Sequence, residues 1–280
     1  MIIAVTGASG QLGRLAIAKL KTLTDPANIV ALARTPEKVS DLGVAARGFD
    51  YTKPETLAAA LDGVDVLALI SSSEFEDRAG QHRNVIDAAK AAGVKRIVYT
   101  SIVKCDTSPL IIAADHKATE AALAESGLTT TILRNGWYTE NWTAGLPGAV
   151  EAGSLIGSAG DARVSPATRQ DYAEALAAVL AGNDHDNKVY ELGGEVFTMP
   201  QMAAAVSEVT GKDIPYTNLP KEKFAEILQS FGLPEGFAMV VADADAGAAD
   251  GWLLDESGTL ERLIGRKPTP MKQAVKDALS

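Results

Sequence analysis

A chain of 280 residues, 46% apolar and 22% charged, is long enough to bury one large α/β core without covalent staples. Its single cysteine, Cys105, excludes an intramolecular disulfide and any cysteine-built metal cluster, and points to a reducing compartment, the cytoplasm. The net charge of −10 argues against unaided nucleic-acid binding, because a phosphate backbone would be repelled unless it met a local basic patch.

The apolar start at residues 1–5 has no basic flank, and Gly7 ends it far short of the ~20 apolar residues of a membrane span. Neither export nor membrane insertion is expected. In chain order, residues 1–6 read as a strand, 11–23 as a helix and 29–33 as a strand. A short helix from 36, a strand near 44–49, a helix from 54 and a strand over 64–70 follow. Residues 80–92 read as a helix, 96–100 as a strand, 109–126 as a helix and 129–133 as a strand. Strands separated by helices of this length imply right-handed crossovers and a doubly wound, Rossmann-like parallel sheet covered on both faces. Residues 1–135 are therefore assigned to a nucleotide-binding domain.

Beyond Asn135 the rhythm loosens and helices dominate, at 169–180, 200–210, 221–231, 258–264 and 269 to the end. The strong strand signals there are 188–192 and 213–218. This stretch, 136–280, reads as a smaller, mainly helical lobe on the substrate side, one of whose strands can join the main sheet.

The stretch TGASGQLG spaces Gly7, Gly10 and Gly13 by two residues between the first strand and the first helix. In a doubly wound sheet that turn faces the ligand crevice, where glycines let backbone approach a pyrophosphate and the helix N-terminus offers free N–H groups. On an acidic chain an anionic cofactor has to be held this way. At the end of the second strand, where NAD-binding folds place an acidic residue, stands Arg34, which suits a 2′-phosphate. NADPH is the expected cofactor, with NADH weaker; a solvated arginine in an Arg-Thr-Pro turn is the alternative. Asp50, ending the third strand, is placed to contact the adenine amino group or to cap the next segment. Ser71, Ser72 and Ser73 follow the fourth strand, where small residues let a ribose lie close to backbone or simply form a turn.

None of the six tyrosines has a lysine four residues later, so the Tyr-x-x-x-Lys proton relay of short-chain dehydrogenases is missing. That argues against routine alcohol and ketone chemistry, where a poorly stabilised alkoxide needs an acid. The chain nonetheless resembles the atypical, NmrA-like short-chain reductases, and within them the bacterial quinone reductases. The residues that carry the resemblance are TGASGQLG, Arg34, LISSSE (69–74), QHRNVIDAAKAAGVK (81–95), YTS (99–101), DTSPL (106–110), LRNGWYTEN (133–141), ATRQDYA (167–173) and KVYELGG (188–194), with GLP (232–234) and LIGR (263–266) further on.

The resemblance implies NADPH-dependent reduction of a small-molecule quinone in a cleft between two lobes. By the same carry-over, Gly7, Ala8, Ser9, Gly10, Gln11 and Leu12 hold the pyrophosphate and Arg34 the 2′-phosphate. Ser71 to Ser73 and the segment Asn135, Gly136, Trp137, Tyr138, Thr139, Glu140 flank the nicotinamide, and Arg169 is a further cofactor contact. The chemistry agrees with the missing relay, because a reduced quinone is a resonance-stabilised phenolate whose formation needs mainly proximity and orientation. Tyr138 is a candidate to stack on the ring or donate to it, Trp137 to wall the pocket and Asn141 to bond a carbonyl oxygen. For Trp137 core packing is the alternative, and for Asn141 helix capping. His116, with Glu120 one turn on and Lys117 beside it, is the third catalytic candidate, or else a structural histidine. His82 reads as shaping the turn beside Ser71, and His185 as a surface loop residue; the three histidines lack metal-ligand spacing. A homo-oligomer is compatible with this reading. The rival reading is a non-catalytic, NADP(H)-binding redox sensor that acts through a protein partner, and a sugar-nucleotide reductase or epimerase is disfavoured by the missing relay.

Overall fold

The computed structural model describes residues 1–74 and 76–280, and the alternation of apolar runs and helices becomes a seven-stranded, all-parallel sheet. Its strands are β1 (Ile3–Val5), β2 (Ile29–Ala33), β3 (Ala45–Gly48), β4 (Val66–Leu69), β5 (Arg96–Ile102), β6 (Thr129–Asn135) and, after β7 (Leu155–Gly157), β8 (Lys188–Leu192). The spatial order is β3-β2-β1-β4-β5-β6-β8, so the chain reverses direction across the sheet between β1 and β4. Ligands bind at such a switch point, beyond the carboxyl ends of the strands. A strand from the second half, β8, does join the sheet, paired in parallel with β6 from Thr131↔Lys188 to Asn135↔Leu192. The other late strand, β9 (Tyr216–Asn218), pairs instead with β7 in a small separate sheet. It starts after Pro215 rather than at Asp213, since proline supplies no ladder donor.

The central strands β1, β2, β4 and β5 are buried on both faces, as their runs of Ile, Val, Leu and Ala require, while the edge strands β3 and β8 are largely exposed or half-buried. The helices of the first half are α1 (Gln11–Leu20), α2 (Pro54–Ala60), α3 (Arg78–Ala91) and α4 (Ala113–Ser126). Beyond the short helices α5 (Glu140–Thr143) and α6 (Leu146–Ala152), α7 (Arg169–Ala181) packs beside α1. That pair covers one face through Leu12, Ala16, Ile17, Leu176 and Leu180, while Leu57, Leu61, Val85, Ile86 and Leu123 of the other helices and their ends cover the opposite one. Thr168 starts α7 with a capping box closed by Asp171, and Arg96 of β5 finishes it by donating to the carbonyls of Val179, Leu180 and Gly182.

The remaining helices are α8 (Met199–Thr210), α9 (Lys221–Ser230), α10 (Glu235–Gly247), α11 (Thr259–Ile264) and α12 (Met271–Ala278). Three of the helices after Asn135 run where no element is expected from sequence: α5, α6 and α10. Helix α4 begins at Ala113 rather than at Pro109. Residues before it turn back, with Lys104 at φ +53° and Lys117 Nζ bonded to the Ser108 carbonyl (2.7 Å). Among the described residues, no helix is long and apolar enough to cross a membrane.

Candidate active site and cofactor cleft

The glycine loop leaves β1 through Gly7 at φ +59°, a conformation that favours glycine, and Gly10 N–H closes the turn on the Gly7 carbonyl (2.9 Å). Gly10 is the extended N-cap of α1 and has no side chain to cap it, so the first N–H groups of the helix have no intrahelical acceptor. A Cβ on Gly13 would stand 2.3 Å from the Gly7 carbonyl oxygen, so that glycine exists to let α1 lie against the strand end. Ala8 and Leu12 are buried and anchor the loop, whereas Ser9, Gly10 and Gln11 are exposed. An uncapped helix start behind an exposed turn fits an anionic pyrophosphate in both charge and shape.

Arg34 is exposed at the carboxyl end of β2, with its Nη1 3.2 Å from Glu74 Oε1. Asp50, beyond β3, accepts from the Thr52 backbone (3.1 Å) and hydroxyl (2.8 Å), so it caps the following turn. Burial works against its charged form, but those bonds outweigh it and hold the carboxyl below its ordinary value.

A cleft of about 950 Å³ opens at the ends of β4, β5 and β6. Ser71, Ser72 and Ser73 line one side, and Asn135, Gly136, Trp137 and Tyr138 line another, with Asn141, Arg169 and His116. Thr139 and Glu140 do not line it. Thr139 is buried with its N–H on the Ala167 carbonyl, and the Glu140 carboxylate accepts the Arg169 N–H (2.8 Å) and faces its guanidinium. Asn135 Oδ1 is buried without a hydrogen-bond partner. Trp137 plays both roles weighed for it, lining the cleft and packing in the core beneath α8 and α12.

Tyr138 is half-buried and held from two directions. Its ring meets Tyr172 edge to face at 5.5 Å, and the Arg169 guanidinium lies 4.6 Å from its centroid. Burial raises its phenol above the ordinary value, so it stays protonated. Asn141 lies inside α5 rather than capping it, and its Oδ1 accepts from Arg169 (3.1 Å). That leaves its amide N–H groups to the cleft.

His116 is 5% exposed, with Nδ1 2.7 Å from Tyr99 Oη. Burial, with Arg78 and His82 nearby, pushes its pKa down to about 3. It is a neutral imidazole. Glu120 does not assist it: its carboxylate clamps Arg134 through both oxygens (3.0 and 2.7 Å) and accepts the Ser101 hydroxyl (2.6 Å). His82 holds the serine turn, accepting Ser72 N–H at Nε2 (3.0 Å). His185 differs from its reading as a free surface residue. It is half-buried, bonded through Nδ1 to the Tyr190 hydroxyl (2.8 Å), because β8 brings that tyrosine back over the loop.

Sequence reasoning missed the cleft's outer wall. Ile111 and Ile112 before α4, and Pro234, Gly236, Phe237 and Val240 at the start of α10, form an apolar roof. Ile111 N–H is tied to Asp243 of α10 (2.9 Å), which joins the two halves of that roof. Pro234 followed by Glu235 is a legitimate helix-start signal that could have found α10.

A family model described as NAD(P)H-binding matches residues 7–183. The chain belongs to this NAD(P)H-binding, NmrA-like family. It is 49% identical over 98% of its length to quinone oxidoreductase 2 of Escherichia coli (strain K12), of which it covers 97%. Among solved structures, an NADPH-dependent quinone oxidoreductase from Escherichia coli in complex with NADPH superposes with a TM-score of 0.97 at 48% identity, each chain covered fully. The triphenylmethane reductase of Citrobacter sp. is 37% identical, with a TM-score of 0.94 over 100% of this chain and 99% of that one. The matched stretch, residues 7–183, includes the glycine loop, Arg34, the serine turn, His116 and Tyr138.

Proposed function

We propose that the protein is an NADPH-dependent reductase that transfers hydride to quinones and similar small electrophilic carbonyl compounds, using NADH less well. The observation that carries this reading is the cleft's composition. Beside an open phosphate loop it joins an apolar roof to neutral polar groups, and its two candidate proton donors are out of range, His116 held low at about 3 and Tyr138 raised. Such a cleft suits an acceptor that stabilises added charge by its own conjugation. The two similar reductases are named for quinones and for triphenylmethane dyes, both conjugated electrophiles that accept a hydride without forming a localised alkoxide.

When bound, NADPH supplies a hydride from its nicotinamide ring. The residues 7–12 loop binds the pyrophosphate, Arg34 the 2′-phosphate, and the serines 71–73 flank the nicotinamide half. Asn135, Gly136, Trp137 and Tyr138, which line the cleft opposite the serines, would flank the same half. Tyr138, clamped by Tyr172 and Arg169, offers a flat face for the quinone, and the Asn141 amide donates to a carbonyl oxygen. The apolar roof excludes water from the transfer. Residues 1–135 hold the cofactor and 136–280 shape most of the acceptor site, in the cytoplasm and with no macromolecular partner required.

The test is NADPH oxidation with and without a small benzoquinone, repeated with NADH. Quinone-dependent oxidation, faster with NADPH, supports the reading. Tight NADPH binding with no quinone-dependent turnover overturns it in favour of a sensor.

A further inference from the structure

The proton count behind the cleft decides what His116 presents to it. His82 Nε2 accepts Ser72 N–H (3.0 Å), so the proton of that ring lies on Nδ1 and is donated to Thr119 Oγ1 (2.9 Å). The Thr119 hydroxyl then donates to the Asp115 carbonyl (2.8 Å), and this chain is closed. The Tyr99 hydroxyl lies 2.7 Å from His116 Nδ1, at a tyrosine that is fully buried. Among the described residues, that nitrogen is the acceptor in close hydrogen-bond geometry with the phenol's one proton, and the Ser71 and Thr119 hydroxyls also stand near it. A buried hydroxyl without an acceptor is costly, so Tyr99 donates and Nδ1 accepts. The imidazole is neutral, and its remaining proton is on Nε2, on a residue that lines the cleft.

We propose that Tyr99 is a positioning residue that locks His116 as the Nε2–H tautomer, and that this N–H meets the quinone oxygen on which negative charge develops. The proposal rests on the reading of the cleft as a quinone site. Hydride from the reduced nicotinamide carries two electrons to the quinone, giving its hydroquinone monoanion and the oxidised nicotinamide. The second proton is then taken from water. His116 keeps its proton throughout and stabilises the oxyanion as a neutral donor, which is why no tyrosine and lysine relay is needed.

The tautomer is read without turnover, by nitrogen-15 NMR of the three histidine rings, with His116→Asn assigning the signals. The expected spectrum shows opposite tautomers in one protein, with the proton on Nε2 in His116 and on Nδ1 in His82. In Tyr99→Phe the His116 ring should become a mixture while His82 is unchanged. An Nδ1–H form of His116 in the wild type, or no response to Tyr99→Phe, overturns the positioning role.

The donor role is read from a series of quinones with increasingly basic hydroquinones, at saturating NADPH. A hydrogen bond to a charged oxygen accounts for roughly ten- to hundredfold at most. His116→Ala should therefore lose less than ~tenfold in kcat/KM with an electron-poor benzoquinone, and severalfold more with tetramethylbenzoquinone, NADPH affinity being unchanged. A uniform loss across the series indicates a merely structural histidine and refutes the donor role. A wild type inactive toward every quinone, with the expected spectrum, overturns the functional reading and the role given to the N–H, while the tautomer assignment stands.

Discussion

Replacing Arg34 by alanine tests where cofactor preference is set. The guanidinium is exposed at the end of β2 and holds Glu74 at 3.2 Å. A 2′-phosphate gains a charge-assisted pair, ~1.5–3 kcal/mol. It must draw Arg34 away from Glu74, an exposed pair worth about 0–1 kcal/mol. The difference centres on ~1.75 kcal/mol, about twentyfold in Kd for NADPH. NADH carries no 2′-phosphate, so its affinity should hardly change. Arg34→Asp adds repulsion and should cost NADPH more than that. Calorimetric titration of wild type and both variants with each cofactor reads these numbers directly. Because the contact is exposed, the preference should shrink as salt is raised. Equal losses for both cofactors, or none for NADPH, would refute the assignment of Arg34.

Gly10→Val should keep its fold, since the backbone there is extended at φ −80°, yet lose both cofactors as the branched chain covers the helix start; normal NADPH affinity in the folded variant places the pyrophosphate elsewhere. Tyr138→Phe should keep more than ~a tenth of kcat with a good quinone, because only a neutral hydrogen bond is lost, whereas Tyr138→Ala should mainly raise KM. A thousandfold fall in kcat for Tyr138→Phe with cofactor still bound would reveal an essential acid. His82 and His116 both titrate at about 3 in the folded protein, below the ordinary histidine value of 6.5. The unfolded chain therefore binds more protons below that value, and the stability these rings contribute is full above it and lost as pH falls toward their folded pKa. Thermal unfolding should show Tm declining over that window, and less steeply in His116→Asn; a Tm independent of pH there contradicts the buried, neutral rings.

Much of the scaffold could be read from local pattern alone. The strands leading to the cleft are short apolar runs between helices, and the glycine loop is visible because positive φ and close packing admit little else. The place of Arg34, exposed just past the end of β2, is also where the strand pattern puts it. The cleft's roof is harder to read: Pro234 and Glu235 signal the start of α10, but its small, apolar and acidic residues show no clear polar face, and Ile111 and Ile112 matter only where the loop before α4 folds against it. Tyr99 and His116 stand 17 residues apart on a strand and a helix, and their contact exists only through the packing of α4 on β5. His185 escaped for a similar reason, since its partner Tyr190 returns on β8.

The central claim is that hydride passes directly from NADPH to a quinone held by placement rather than by a protein acid. The most direct test is the isotope effect on kcat/KM for benzoquinone, measured with NADPH deuterated at the transferring position, in light and in heavy water. The account predicts a normal primary effect from the deuterated cofactor and a solvent effect close to unity. A large solvent effect would show that a protein proton moves in the same step, and the absence of quinone-dependent oxidation by a protein that binds NADPH would contradict the account altogether.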